Sequence, residues 1–188
     1  MDLATMIEQC APSVAPTTMT QLLRVESAFR AHVIGTKITK NGQVFRLTYQ
    51  PSDKAQAISW AGWLIEHGYR FDAGMAQINS SNFARLGLTT DYLFDECASI
   101  GAGARVLTEF YQKAVRQFGP NQSALHAAIS AYQTGSFTRG FDTGYVQRVA
   151  GPTASNPTVA IKLTATETSV SPRNAPTTAG FNGLDHLR

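Results

Sequence analysis

The residue with the clearest chemical potential in this sequence is Glu26, in the stretch TQLLRVESAF at 20–29. Helical spacing places its carboxyl group on a face that carries four apolar side chains, those of Met19, Leu22, Leu23 and Phe29. A carboxylate removed from water either has a partner or stays protonated with a raised pKa. Glu26 is therefore either a general acid or a core glutamate satisfied by Arg24, Arg30 or a backbone donor.

Two further stretches combine polar side chains with apolar neighbours. In FDAGMAQIN at 71–79, Gln77 and Asn79 are either capping or surface amides, or groups that a loop offers to a polar ligand. In AAISAYQTGSF at 127–137, Tyr132 ends an apolar helix. Its hydroxyl either satisfies a backbone carbonyl or points at a catalytic carboxyl group.

Other chemistries find little support. The four histidines, His32, His67, His126 and His186, lack metal-ligand spacing, and the chain contains no GxSxG, P-loop or GxGxxG motif. We therefore expect neither a metal nor a cofactor. Cys10 and Cys97 are too far apart for a CxxC motif, which leaves a disulfide or two buried thiols.

Composition predicts one globular domain. The 188 residues are 43% hydrophobic and 15% charged, enough for one sizeable core, and no apolar run is long enough to span a membrane. The net charge of +3 is mild and the basic residues look scattered, so nucleic-acid binding is not expected. A weak attraction to an anionic polymer such as a cell wall is compatible with this charge.

The pattern of elements predicts a mainly helical α+β domain over 1–150. Asn41-Gly42 between two alternating runs predicts a small β-hairpin at about 36–49. Apolar spacing and caps predict helices at 3–9, from Pro16 to Phe29, and at 53–67, 75–86, 97–118, 122–134 and 143–149. The last segment, 151–188, holds four of the eight prolines and a single aromatic residue, which predicts a flexible tail.

Four motifs in order resemble those of lytic transglycosylases with the goose-type lysozyme fold. They are ES at 26–27, GMAQIN at 74–79, AYQTG at 131–135, and Tyr145-Val146 with Val149. Three more features resemble the specialised transglycosylases of type IV secretion and conjugation systems: QCAP at 9–12, an insertion that holds the 53–68 helix, and FDECASIGAGARVL at 94–107.

The resemblance implies an enzyme that cleaves the β-1,4 bond between N-acetylmuramic acid and N-acetylglucosamine in peptidoglycan, without a cofactor. The muramic 6-hydroxyl attacks its own anomeric carbon and leaves a 1,6-anhydro product. Glycosidases that use water or a covalent intermediate generally need two carboxyl groups. With an internal nucleophile one group can serve as acid and then as base, which fits the setting of Glu26.

The resemblance also implies roles for individual residues. Glu26 is the acid and base, and Tyr132 orients it through its hydroxyl. Ser27 lies near the sugar's amide, and Tyr145 faces the cleft from the far side. The remaining positions expected to line or support the cleft are Met75, Gln77, Asn79 and Gln133.

Some positions depart from the family pattern. Ala76 stands where the family usually has Met, and Gln133 stands where its AYN motif has Asn, so the longer amide reaches a different place. Asp72 is the nearest candidate for a second carboxylate, which would make the enzyme an ordinary lysozyme. The alternative is that Asp72 caps a helix start.

The resemblance implies a monomer in the periplasm that acts on peptidoglycan glycan strands beside type IV secretion components. There we expect Cys10 and Cys97 to form a disulfide between the first helix and the 97–118 helix. Asp2 and Glu8 precede the first cation, Arg24, which is not typical of a signal peptide. Use in the cytoplasm, a missing leader or another export route stay open.

Two other functions remain open at this stage. One is a lysozyme-type hydrolase on the same fold, which differs from a transglycosylase in leaving reducing ends. The other is a non-catalytic glycan-binding assembly module, for which a buried acid has no use.

Overall fold

The fold consists of helices and two small antiparallel β-sheets. In a computed structural model, which describes residues 2–157, the helices are α1 (Leu3–Cys10), α2 (Pro16–Ser27), α3 (Lys54–Glu66), α4 (Phe83–Leu86), α5 (Thr90–Leu93), α6 (Glu96–Phe118), α7 (Gln122–Thr134), α8 (Arg139–Asp142) and α9 (Tyr145–Ala150). The strands are β1 (Lys37–Lys40), β2 (Gln43–Arg46), β3 (Asp72–Ala73) and β4 (Ile78–Asn79). The predicted mainly helical α+β class is confirmed.

Local capping signals explain where the longer helices begin. The side chains of Asp2, Asp53, Asp95 and Asn121 each accept a hydrogen bond from a backbone N–H in the first turn of α1, α3, α6 and α7. Pro16 occupies the first turn of α2, where its missing N–H costs nothing. The helices predicted at 3–9, from Pro16, and at 53–67, 97–118, 122–134 and 143–149 are confirmed within a few residues.

The core lies between α6, α7 and the N-terminal helices. Ile100 and Leu107 of α6, and Leu22 and Leu23 of α2, are almost fully buried. The predicted disulfide is confirmed: Cys10 at the end of α1 is bonded to Cys97 at the start of α6, with the two Cα atoms 5.3 Å apart. It therefore ties the N-terminal helix to the longest helix of the domain.

The predicted hairpin is confirmed as β1 and β2, joined at Asn41-Gly42. Isolated bridges then connect the hairpin region to the chain that leads into β3, pairing Thr39 with Arg70 and Ile34 with Ala73. The Gly35 N–H also donates to the Asp72 carbonyl at 2.7 Å. The hairpin is thus fastened by backbone hydrogen bonds to the strand that carries Asp72.

The helix predicted at 75–86 is wrong over most of its length. Residues 72–79 form β3, a tight turn and β4, and only Phe83–Leu86 is α-helical. Gly74 has φ +77° and Gln77 has φ 48°, values that a right-handed helix does not allow. A Cβ at Gly74 would lie 2.4 Å from the Leu93 carbonyl oxygen, so packing against the end of α5 requires glycine. The short helices α5 and α8 are not predicted by the sequence.

The predicted tail, 151–188, lies outside the described residues from position 158 onward. Its first residues are described: Ala154 is buried, and its carbonyl accepts a hydrogen bond from Nε2 of Gln147 at 3.2 Å. Within residues 2–157, no helix combines the length and apolar character needed to cross a membrane.

Candidate active site

Glu26 lies in the wall of a cleft with a volume of about 320 Å³. The other lining residues come from the β3–β4 region, from α6 and from α7. They are Asp72, Gln77, Ile78, Asn79, Ser81, Asn82, Val106, Phe110, Ala131, Tyr132, Gln133 and Gly135. The structure therefore brings together Glu26, Gln77, Asn79, Tyr132 and Gln133 of the predicted site.

The end of α2 fixes the position of Glu26. Leu22 and Leu23, one turn earlier, are fully buried and anchor the helix in the core. The helix ends one residue after Glu26, because Ala28 and Phe29 both adopt positive φ, 53° and 62°. Two successive non-glycine residues in this region are uncommon, and such backbone strain is concentrated at functional sites.

Glu26 accepts a hydrogen bond from the hydroxyl group of Tyr145, at the start of α9. Neither arginine considered as a partner pairs with it. The Arg30 Nε donates to the Ser27 carbonyl at 3.0 Å, and the Arg24 guanidinium lies over the Phe29 ring at 5.7 Å. The carboxyl group is therefore held by a neutral donor and no ion pair.

The pKa of Glu26 is raised to about 7. Burial of the carboxyl group is the main cause, and the negative charge of Asp72 raises the pKa further. The hydrogen bond from Tyr145 and the positive charge of Arg148 act in the opposite direction without offsetting burial. Near neutral pH both the protonated and the ionised form of Glu26 are therefore populated, so the group can donate a proton and accept one.

The Tyr132 hydroxyl forms no hydrogen bond with Glu26, which corrects the predicted orientation role. The hydroxyl donates instead to the carbonyl of Ala76 at 2.7 Å. The tight turn between β3 and β4 leaves this carbonyl without a partner in a ladder, and a buried phenol must find an acceptor. Tyr132 therefore fastens the turn to α7 while its ring lines the cleft.

Asp72 lies in β3 directly opposite Asn79 in β4, so the prediction that it caps a helix is wrong. Nδ2 of Asn79 donates to the Asp72 carboxylate at 2.8 Å, and Oδ1 of Asn79 accepts from Ser81. Burial raises the pKa of Asp72, and the hydrogen bond from Asn79 lowers it. The cleft thus contains a second carboxyl group beside Glu26.

The amides of Gln77 and Gln133 hold loops at the cleft. Nε2 of Gln77 donates to the carbonyls of Gly74 at 2.9 Å and Val33 at 3.3 Å. Oε1 of Gln133 accepts from the Thr143 hydroxyl at 2.8 Å, which connects α7 to the segment before α9. Both side chains line the cleft, and each has polar capacity left for a ligand.

Three predicted site residues lie behind the cleft wall. Ser27 is 2% exposed, and its hydroxyl donates back to the Leu23 carbonyl at 3.3 Å, as serines in helices commonly do. Met75 is 3% exposed and packs in the core beneath the turn. Tyr145 is 2% exposed and reaches Glu26 from behind.

The departure at Ala76 has a packing explanation. Ala76 is fully buried against α6 at Gly103, where an added Cβ would lie 2.7 Å from the Ala76 Cβ and 3.1 Å from the Tyr132 hydroxyl. A longer side chain at position 76 therefore has no room while α6 stays in place.

Several lining residues were missed by the sequence interpretation. Val106 and Phe110 are four residues apart on α6, so they share the helix face that borders the cleft. Their helical spacing predicts a common face, but it does not say what that face meets. Ser81 and Asn82 follow the GMAQIN stretch, in a segment that the sequence interpretation assigned to a helix.

A mainly helical domain with a cleft glutamic acid of raised pKa is the arrangement expected of a glycan-cleaving acid catalyst. Residues 5–152 match the family model described as "Transglycosylase SLT domain", and the chain belongs to this family. Among residues 2–157, no group of three or more His, Cys, Asp or Glu side chains is arranged to hold a metal ion.

The chain is also similar to several curated bacterial proteins. It is 40% identical over 148 residues to "Type IV secretion system protein virB1" of Brucella abortus and of Brucella suis, covering 76% of this chain and 60% of those proteins. It is 38% identical over 141 residues to "Protein virB1" of Agrobacterium fabrum, covering 75% of this chain and 55% of that protein. The chain thus spans little more than half the length of these relatives. No solved structure matches the chain significantly.

Proposed function

We propose that the protein is a peptidoglycan lytic transglycosylase in which Glu26 is the acid and base. The observation that carries the proposal is the single cleft glutamic acid with its pKa raised to about 7, at the position of the family's Glu-Ser motif. Membership of the transglycosylase family gives the reaction class. Because its pKa is raised, Glu26 is partly protonated at neutral pH and can donate the proton that the reaction needs.

The reaction is written in two proton transfers. Protonated Glu26 donates its proton to the glycosidic oxygen as the bond to the muramic anomeric carbon breaks. The 6-hydroxyl of the same muramic residue then forms a bond to that carbon and returns its proton to the Glu26 carboxylate. Water is not consumed, the products are a 1,6-anhydro end and a free 4-hydroxyl, and Glu26 regains its starting state.

Tyr145 supports both halves of this cycle. Its hydroxyl donates to one carboxyl oxygen of Glu26, which leaves the other oxygen free to exchange the proton with substrate. The same bond partly stabilises the carboxylate, since it lowers a pKa that burial alone would raise further. We assign Tyr145 as a positioning residue rather than a sugar contact.

Asp72 supports a second candidate function, hydrolysis. Two carboxyl groups in one cleft suit a mechanism in which one is the acid and the other activates water. The hydrogen bond from Asn79 holds one oxygen of Asp72, however, and burial raises the pKa of Asp72, so the carboxylate form that a base needs is less populated at low pH. We therefore propose the transglycosylase, and the type of product, anhydro or reducing ends, distinguishes the two reactions.

The printed names of the relatives support a setting. We propose that the protein acts in the periplasm, as a monomer, and opens the peptidoglycan locally for a type IV secretion or conjugation apparatus. The aligned region covers only 60% of the Brucella proteins. We therefore propose no residue of this chain as a contact with other secretion components.

The deciding experiment compares the unaltered protein with Glu26→Gln on purified sacculi. The amide keeps the shape and can still accept from Tyr145, but it carries no transferable proton. We expect a loss of at least about 100-fold in muropeptide release. Mass spectrometry of the products from the unaltered protein should find anhydro ends, whereas reducing ends would establish the hydrolase. An undiminished rate for Glu26→Gln would exclude the catalytic role.

A further inference from the structure

The hairpin has two chemically different faces. Side chains alternate along a strand, and directly paired residues point to the same side. Ile38 is paired with Phe45, and these two belong to a mainly apolar groove against α3 that includes Trp63 and Tyr69. Lys40 lies on that side too, with its Nζ 5.0 Å from the centre of the Tyr69 ring.

The opposite face carries three cations. Lys37 is paired with Arg46 across the two strands, so their side chains are neighbours. Thr39, which is on the same face as Lys37, is bridged to Arg70 on the adjoining segment, and the Arg70 side chain therefore points to that side as well. Sequence spacing hides this grouping, because the three residues are brought together by strand pairing.

These cations are available to a ligand. Lys37, Arg46 and Arg70 are all exposed, and none of their side chains makes a hydrogen bond within residues 2–157. In that part of the chain one ion pair is formed, between Arg85 and Glu109. Within residues 2–157, none of the three cations forms an ion pair with an acidic side chain.

The cationic face continues into the cleft. Arg70 and Asp72 are two residues apart in an extended segment, so they point to the same side, while Phe71 and Ala73 between and after them are buried in the core. Asp72 lines the cleft. A polymer that leaves the cleft along this edge therefore passes over Arg70 and then over Lys37 and Arg46.

We propose that Lys37, Arg46 and Arg70 form a binding site for the carboxylates of the stem peptides that peptidoglycan strands carry. This inference rests on the proposed function, because it takes the polymer in the cleft to be peptidoglycan. Arginine and lysine suit this ligand, since guanidinium groups bind carboxylates in pairs of hydrogen bonds and lysine adds a compact charge. The site holds a peptide-bearing strand outside the cleft and favours it over bare glycan.

The test uses the chain of 188 residues carrying Glu26→Gln, so that sacculi are bound without being digested. Lys37→Gln with Arg46→Gln removes two charges from the site. The control pair, Lys54→Gln with Arg116→Gln, also removes one lysine and one arginine, at positions outside the site. The two double variants therefore have the same net charge. Binding is measured by co-sedimentation with purified sacculi across a range of NaCl concentrations, and with the same sacculi after an amidase has removed the stem peptides.

We expect the first pair of substitutions to raise the Kd for intact sacculi roughly three- to tenfold at low salt and to weaken its salt dependence, while the control pair changes neither. On peptide-free glycan the two pairs should bind alike. Equal binding of both pairs to intact sacculi would overturn the proposal and leave an acidic protein surface as the alternative occupant. A difference that persists on peptide-free glycan would overturn the assignment to carboxylates. Clearing of sacculi by Glu26→Gln would instead refute the proposed function.

Discussion

The hydroxyl group of Tyr145 donates a hydrogen bond to the carboxyl group of Glu26 across 119 residues of sequence. The bond joins the end of α2 to the start of α9, two helices that pack against each other behind the cleft. The hydrogen bond lowers the pKa of Glu26 and burial raises it, and the resulting pKa is about 7. This hydrogen bond can be tested separately from the proton that Glu26 is proposed to transfer.

Tyr145→Phe should move the pH dependence of activity. Without the hydroxyl the carboxylate loses a stabilising donor, so the pKa of Glu26 rises above its present value of about 7. The falling limb of kcat/KM against pH should shift to higher pH, and kcat should fall severalfold because a weaker acid donates its proton to the glycosidic oxygen less readily. Rates on sacculi between pH 5 and pH 9 measure both effects.

Tyr132→Phe is the matched control for that variant. It leaves the Ala76 carbonyl without its donor, which should cost about 1 to 3 kcal/mol of stability in thermal unfolding. The position of the falling limb should stay where it is. A shift with Tyr132→Phe and none with Tyr145→Phe would contradict the structural assignment of the two tyrosines.

Glu26 should make the stability of the fold depend on pH. Its proton is released near 4.5 in the unfolded chain and near 7 in the folded protein, so the folded state binds more protons between these values. The free energy of unfolding should therefore fall as pH rises through that window, by up to about 3 kcal/mol.

Glu26→Gln lacks this titration and serves as the reference. We expect the variant and the unaltered protein to have similar unfolding free energies at pH 4, and the variant to be the more stable of the two at pH 8. Denaturant titrations at the two pH values measure the difference in unfolding free energy between the variant and the unaltered protein. Other titrating groups contribute almost equally to both proteins, so their effects largely cancel in this difference. The same difference at both pH values would show that the pKa of Glu26 is not raised.

Asp72→Asn separates the two candidate reactions. The amide oxygen can still accept from Asn79, but the negative charge that raises the pKa of Glu26 is lost, so the falling limb should move to lower pH. In a transglycosylase, the rate near pH 5 should fall less than about tenfold and anhydro ends should persist. If Asp72 activates water, the loss should instead reach about 100-fold or more.

Removing the disulfide should weaken the fold without changing the chemistry. The Cys10–Cys97 bond closes a loop with a sequence separation of 87 and joins α1 to α6, away from the cleft. The double variant Cys10→Ser with Cys97→Ser should lose about 2 to 5 kcal/mol of unfolding free energy. The falling limb of its pH profile should be unchanged at temperatures where it is folded. Stability equal to that of the unaltered protein would show that the bridge adds nothing.

Local signals in the sequence account for much of the fold. Asn41-Gly42 allows the hairpin turn, and Asp53 and Gly68 bound α3, because turn and cap chemistry involves residues only a few positions apart. The same is true of Glu26 as a candidate acid, since a carboxyl group on an apolar helix face is visible from spacing alone. The disulfide was predicted through the family resemblance and not from spacing.

The sequence failed where distant contacts override local preference. The 75–86 segment has helical spacing, yet Gly74 packs on the Leu93 carbonyl and the chain turns back as two strands. Local spacing also cannot tell which of two tyrosines, Tyr132 or Tyr145, donates a hydrogen bond to Glu26. The packing of α7 and α9 decides this, and it brings the Tyr145 hydroxyl to Glu26 and the Tyr132 hydroxyl to the Ala76 carbonyl.

The sequence by itself determined most of the longer helices, the hairpin and the candidate acid, because each depends on residues that are near one another along the chain. Only the tertiary structure decided the partner of Glu26, the place of Asp72 beside it, and the grouping of Lys37, Arg46 and Arg70 on one face. Those relationships join segments that chain folding brings together, and the free energy of packing the whole core selects them.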